Sequence, residues 1–367
     1  MKQIVLQENF QQALNYLQKA IPSRPSLPIL SSILVDVTEK TCTVSATDLY
    51  FGVRAVVPSK IDKPGSLTVP GKQLREIIQS LPAGSITLEQ NDTNLGIQAA
   101  SSKSSLPCQT SEEYPPFPQV EGDTFVISKE ILDQIKAYVL KSASLDPTRP
   151  ILTGCLLDIS EDSITVAGTD GFRLSVLSFT QKNKTSARLI IPAKVLEEIQ
   201  RIAESLKVSS ITFTVSQELK QVFFSFDEVE VFARLIDGEY PPYQKIIPES
   251  FSTEIVTSAS SLQEELKRAL IFSRESNIIQ LHFSSEELKV AASSPGSGTY
   301  EGVISDASVS GEEGSIAFNA KYLLDYLQNF KEVSITISLK GNQTAAVFKT
   351  STVPELLYLV MPFRINQ

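Results

Sequence analysis

Few residues in this sequence are able to do chemistry, and their spacing narrows what that chemistry is. One histidine is present, His282, alternating with Leu281 and Phe283 on an expected strand, where a structural role fits it. Neither a Ser–His triad nor a zinc site has enough to build on. Cys42, Cys108 and Cys155 are widely spaced, without metal-ligand intervals, and read as small core residues of a reducing compartment. Asp48 and Asp170 each follow a threonine, in TDLYF (47–51) and TDGFR (169–173). A Thr-Asp pair between strands is first of all a turn device, because the Asp side chain hydrogen-bonds nearby backbone. A hydrolase using these two carboxylates is the catalytic alternative. No Walker, dinucleotide or nucleophile-elbow motif occurs, so an enzyme has no residues to rest on and no cofactor or metal is expected.

The cations carry more information. Lys72, Lys194 and Lys321 recur in VPGK (69–72), IPAK (191–194) and FNAK (318–321), each opening a stretch of helical period. The helix dipole favours carboxylates at that end by a few tenths of a kcal/mol, so a lysine placed there three times points to a requirement outside the helix. Phosphate is the natural counter-charge. Arg24 lies on a loop stiffened by three prolines, IPSRPSLPIL (21–30), and is either a phosphate contact or a solubilising surface residue. Acids such as Glu76, Glu197, Glu198 and Asp325 are interleaved on the same stretches, and no aromatic face for stacking bases accompanies them. That mixture suits loose, sequence-independent attraction.

These residues are positioned by a grammar that the chain repeats three times. Its clearest copy is ITVAGTDGFRLSVLSF (164–179), LIIPAKVLEEIQRIAESL (189–206) and ITFTV (211–215). Alternating residues give two strands joined by the Thr169-Asp170-Gly171 turn. A third strand then runs into a helix opened by Pro192, with Val195, Leu196, Ile199, Ile202, Ala203 and Leu206 as its apolar stripe. The upstream copy covers 42–90 and the downstream copy 288–340, where SSPGSG (293–298) replaces the Thr-Asp turn. Asp170 follows Asp48 by 122 residues (170 − 48), about a third of the 367-residue chain. A repeat of that length is a domain-sized unit used three times. Boundaries fall at 1–120, 121–250 and 251–367, near the proline-rich connections EYPPFP (113–118) and EYPPYQ (239–244). Each unit holds two helices among about eight short strands, with the first helices of the three units over 10–20, 129–142 and 262–272. The fold class is therefore α+β: three repeated helix-on-antiparallel-sheet domains.

A net charge of −9 argues against a protein that coats itself with nucleic acid, but allows basic residues gathered on one surface. No apolar run is long enough to span a membrane and the N-terminus has no signal-peptide pattern, so a cytoplasmic location is expected. The apolar tail LLYLVMPFRINQ (356–367) is either a last core strand or the wall of a hydrophobic peptide groove.

Five motifs run in order along the chain: RPSLPIL (24–30), TDGFRL (169–174), DGEYPPYQKIIP (237–248), FNAKYLLDYL (318–327) and YLVMPFR (358–364). With the three-fold repeat, they make the whole chain resemble the bacterial DNA polymerase III β subunit family, the sliding clamps. The resemblance implies a head-to-tail homodimer, six domains in a dimeric ring whose helices surround double-stranded DNA. Arg24, Lys72, Arg149, Lys194 and Lys321 would face the DNA without reading its sequence. It implies a processivity factor, a non-catalytic subunit associated with DNA-directed DNA polymerase.

The resemblance also implies a groove for short linear peptides of the replicative polymerase, the clamp loader and repair proteins. Its walls would be Leu152, Thr169, Gly171, Phe172, Arg173, Leu174, Pro241, Ile246, Leu359, Val360, Met361, Pro362 and Phe363, with Asn319 and Tyr322 at the edge. Leu106, Ile271 and Phe272 would lie at the subunit interface. Pro150 and Ile151 stand where many relatives carry aromatics, and Phe172 replaces a histidine of some relatives. Ile365, Asn366 and Gln367 extend past Arg364, and SSKSSLPC (101–108) matches the family's edge strand poorly. The competing reading is a peptide-binding repeat scaffold that never encircles DNA.

Overall fold

A computed structural model of the chain describes residues 1–100, 102–119, 121–296 and 298–364. Ile365, Asn366 and Gln367 lie outside the described residues. Among these are six α-helices: α1 (Gln7–Leu17), α2 (Gly71–Ser80), α3 (Lys129–Tyr138), α4 (Ala193–Leu206), α5 (Ala259–Ile271) and α6 (Ala320–Leu327). Among the described residues the strands pair antiparallel. Two compact units emerge, Met1–Lys129 with Glu197–Leu235 (unit 1) and Glu130–Leu196 with Ile236–Gln367 (unit 2).

Unit 1 holds a five-stranded sheet that ends on Ser102–Pro107, and an eight-stranded sheet. The larger sheet is two four-stranded halves from successive repeats, joined where Phe51–Val57 pairs with Val229–Arg234. Unit 2 uses the same device. Arg173–Thr180 pairs with Leu356–Val360 inside a nine-stranded sheet, while a four-stranded sheet ends on Gly298–Ile304. The alternation read from the sequence sets the faces: Ile164 and Val166 are buried, while Ser163 and Thr165, which alternate with them, are half-buried. Helices cover the buried faces. In unit 1, α1 lays Phe10, Leu14 and Leu17 on the Phe51–Val57 strand and beside α2, which contributes Leu74 and Ile78. In unit 2, α5 packs on Gly298–Ile304 and beside α6. Each such side chain contributes about 1.5–3 kcal/mol of burial.

Three expectations need correction. Pro192 does not open the central helix; it closes the strand Ala187–Pro192 opposite Gly154, and α4 begins at Ala193. Pro70 does the same before α2. The first helix starts at Gln7 rather than near Phe10, because the Gln7 amide is buried and donates to the Ile78 carbonyl at 2.7 Å, an anchor that an apolar stripe does not reveal. Finally, α3 stops at Tyr138 and a separate 3-10 turn spans Leu140–Ser142, where the Ser142 hydroxyl is buried against that of Ser175 at 2.8 Å. The polar run after residue 101 does form an edge strand, Ser102–Pro107, and an edge tolerates its charge and serines.

Candidate functional site

The site in unit 2 is built on the Thr169–Arg173 turn. The Thr169 hydroxyl donates to the Arg173 carbonyl at 2.6 Å and accepts from the Gly171 N–H at 3.0 Å. Asp170 accepts from the N–H groups of Phe172 and Arg173 at 2.9 and 3.0 Å. Gly171 supplies the positive φ of 92° that closes the turn. Asp48 and Asp170 are thus turn anchors, and Asp48 makes the same two bonds, to Tyr50 and Phe51.

Beyond the turn, strand register brings Leu174 opposite Leu359. A cavity of about 370 Å³ opens between this strand pair and the 3-10 turn Tyr243–Ile246. Leu152, Thr169, Gly171, Phe172, Arg173, Leu174, Pro241, Ile246, Leu359 and Met361 line it. Ten of the expected residues therefore meet. Phe172, Ile246 and Met361 are exposed at its mouth, whereas Leu174 and Leu359 form its buried floor. The sequence reading missed Pro242, Tyr243, Lys245 and Ala345. The first two stand in the EYPPYQ echo and could have been found there; Ala345 carries no local signal.

Five expected residues lie elsewhere. Val360 is fully buried and pairs with both Arg173 and Ala346, so strand parity turns it away from the cavity that Leu359 and Met361 face. The Phe363 N–H donates to the Ala317 carbonyl at 2.7 Å, and its ring lines a separate depression with Ile278 and Tyr300. Pro362 does not line the groove. Asn319 is the N-cap of α6 and accepts from the Lys321 N–H at 3.0 Å. Tyr322 lines a neighbouring depression with Leu145, Arg149 and Asp325, which shares Phe172 and Arg173 with the groove.

Arg173 ties these parts together. Its guanidinium pairs with Asp170 at 3.1 Å and Asp325 of α6 at 2.6 Å, donates to the Lys141 carbonyl, and stacks 4.5 Å over the Tyr322 ring. Burial opposes its charge, but the Tyr358 phenol, Asp325 and Asp170 outweigh burial and hold its pKa above the usual value. Arg149 has two of its donors engaged at the rim, on the Asp170 carbonyl at 2.9 Å and on Asp146 at 3.3 Å.

The three repeat lysines occupy one structural position. Lys72, Lys194 and Lys321 are each the second residue of their helices, and each is exposed. Lys72 lies at 4.0 Å from Glu76. Arg24 is exposed on its loop. At the sheet ends, Leu106 belongs to the edge strand but is only 7% exposed, so its side chain points inward. Ile271 closes α5 with its side chain exposed, and Phe272 stacks on Tyr300 of the Gly298–Ile304 strand at 5.6 Å. Among the described residues no group of His, Cys, Asp and Glu could hold a metal ion, and no helix is long and apolar enough to cross a membrane.

Three family models match in succession: the N-terminal, central and C-terminal domains of the DNA polymerase III beta subunit, over residues 1–118, 126–242 and 244–364. The chain belongs to that family. Relatives agree with this over full length. The Beta sliding clamp of Synechococcus elongatus is 29% identical over 378 residues, covering all of both chains. That of Bacillus subtilis is 26% identical over 381 residues, covering 99% of this chain and all of the relative. The sliding clamp structure from Bacillus subtilis superposes with a TM-score of 0.94 at 25% identity, and the beta subunit from Thermotoga maritima with 0.93 at 25%, both covering each chain fully. A clamp from Pseudomonas aeruginosa bound to griselimycin shares the fold, with a TM-score of 0.92 at 24% identity. As a beta subunit, this chain is a polymerase processivity factor and not an enzyme.

Proposed function

We propose that two copies of this chain close head to tail into a ring around duplex DNA, tethering a polymerase through the unit 2 groove. The three domains are assigned to 1–120, 121–250 and 251–367. In each unit a sheet continues from one repeat into the next through paired edge strands. Ser102–Pro107 and Gly298–Ile304, each at one end of its sheet, are the strands that would pair between copies, with Leu106, Ile271 and Phe272 behind them. Lys72, Lys194 and Lys321, with Arg24 and Arg149, face the phosphates. Contacts of this kind hold no register, which allows sliding. The ring works in the cytoplasm, where Cys42, Cys108 and Cys155 stay free and buried.

The observation that carries the peptide reading is the apolar cavity over Leu174 and Leu359, rimmed by exposed Phe172, Ile246 and Met361. Apolar anchors of short peptides from polymerase, clamp loader and repair proteins would fill it. Removing residues from Leu359 onward is a poor test, because Leu359 is a core residue. Ile246→Asp with Met361→Asp changes only the mouth. That pair of substitutions should abolish binding of a polymerase C-terminal peptide while leaving retention on circular DNA intact. Lys72→Glu with Lys194→Glu and Lys321→Glu should do the reverse. Full peptide affinity in the first variant, or full DNA retention in the second, removes the corresponding assignment. Small-angle scattering gives the assembly: a monomer at high concentration would leave the non-encircling scaffold.

A further inference from the structure

The turn that builds the groove has a second copy in unit 1 with the same Thr and Asp hydrogen bonds. The Thr47 hydroxyl donates to the Phe51 carbonyl and accepts from the Leu49 N–H, as Thr169 does with Arg173 and Gly171. The Tyr114 hydroxyl is shared between the Ser32 carbonyl at 3.3 Å and the Ser45 carbonyl at 3.5 Å, and that of Tyr240 donates to the Ala167 carbonyl, the equivalent of Ser45, so the two YPP segments dock on equivalent strands. The strand junctions also match in register: Gly52 lies opposite Phe232 where Leu174 lies opposite Leu359. The turn, the strand junction and the docked YPP segment are therefore duplicated, whereas residues 115–119 form no counterpart of the 3-10 turn Tyr243–Ile246.

What differs is the filling. Leu174 has become Gly52, and Leu359 has become Phe232. The Phe232 ring lies on the Gly52 backbone so closely that a β-carbon there would fall within 2.9 Å of both Cδ1 and Cζ. Phe117, the counterpart of Tyr243, meets this ring edge-on at 5.2 Å. Arg54, in the position of Val176, stacks 4.6 Å above Phe117 and donates from Nε to Glu230 at 2.5 Å. An aromatic ring over a cross-strand glycine, closed by a second ring and an ion pair, leaves Phe232 4% exposed.

We propose that unit 1 carries a closed copy of the peptide groove, in which the Phe232 ring over Gly52 rebuilds the floor that Leu174 and Leu359 make in unit 2, and Phe117 with Arg54 covers the place where a partner peptide's apolar anchor would sit. This rests on the groove reading above and adds a reason why the duplicated turn and strand junction of unit 1 would not take a peptide. Gly52 admits the ring, and Phe117 with Arg54 covers it. Phe117 and Phe232 together thus set peptide valency, and the seat they close is apolar and of aromatic size.

The test is titration calorimetry of the full-length protein with a polymerase C-terminal peptide, comparing the parent with Phe117→Ala/Phe232→Ala. The parent should bind one peptide per chain. The variant should keep that event unchanged and add a weaker second one, doubling the stoichiometry. A folded variant that still binds one peptide overturns the proposal. Should the double variant fail to fold, Phe232→Ala alone is crystallised and soaked with toluene. Density for the probe between Gly52 and Phe117 supports a preformed seat, and a collapsed, empty seat overturns it. A parent that binds no peptide at all would instead sink the groove reading, leaving the toluene result to judge the seat by itself.

Discussion

Replacing Arg173 by methionine separates two ion pairs that look alike on the sequence. Arg173 and Asp170 retain 10% and 14% exposure, so that pair is desolvated. Removing one partner of a buried pair destabilises by about 3–5 kcal/mol, since the other charge is left without compensation. Asp170 would still accept the N–H groups of residues 172 and 173, which places Arg173→Met near the lower end, about 3 kcal/mol. Asp325 is 36% exposed, and solvent screening limits its pair to about 1 kcal/mol or less. Asp325→Asn should therefore be mild and Arg173→Met severe. Because Arg173 also fixes the turn carrying Phe172, freeing that wall by 1.4 kcal/mol would weaken peptide binding about tenfold. Urea unfolding and peptide titration on both variants read the two effects separately. Asp325→Asn as damaging as Arg173→Met would refute the burial argument. Arg173→Met with undiminished peptide affinity would refute its positioning role.

Gly171→Ala forces a side chain into a φ of 92° and brings its β-carbon to 3.1 Å from Arg149 Nη1, so a loss of about 1–2 kcal/mol and weaker peptide binding are expected in the same assays. Asp306 should show in the acid limb of stability. Burial alone would raise its pKa, but hydrogen bonds from Ser258 and Ser261 outweigh it and hold the value below the ordinary 3.8. A depressed folded pKa contributes stability above the unfolded value that is lost as pH falls through the folded one. The melting gap between the parent and Asp306→Asn should thus be full near neutrality and close below about pH 3.8; a gap that persists in acid would contradict this. Burial pushes the Cys155 thiol up to about 12 and that of Cys42 up to about 11, so neither should react with a disulfide reagent until the fold opens. Rapid labelling at neutral pH in the native protein would contradict their burial.

Much of the site was legible in the chain because its signals are local. The lysines sit at the second residue of three helices, each just after a strand whose end is marked by Pro70, Pro192 or Asn319. The Thr-Asp turn is equally local, since its hydrogen bonds span two to four residues. Helix starts were read less well where the anchoring side chain is polar and buried, as with Gln7.

By itself the sequence determined the three-fold repeat, the α+β class, the helix-start lysines and the turns, all of which follow from period and turn chemistry within a few residues. Only the tertiary structure decided which side chains share a space. Val360 was assigned to the groove with its neighbours, yet its pairing with Arg173 turns it inward while Leu359 and Met361 line the cavity, and that parity is set by strands far apart in sequence. Asp325 reaches Arg173 across 152 residues, and Phe232 fills the space above Gly52 through a pairing that no local pattern records. A short-range signal specifies an element, but register between distant strands specifies a surface. That is why one copy of a duplicated turn is open while the other is closed.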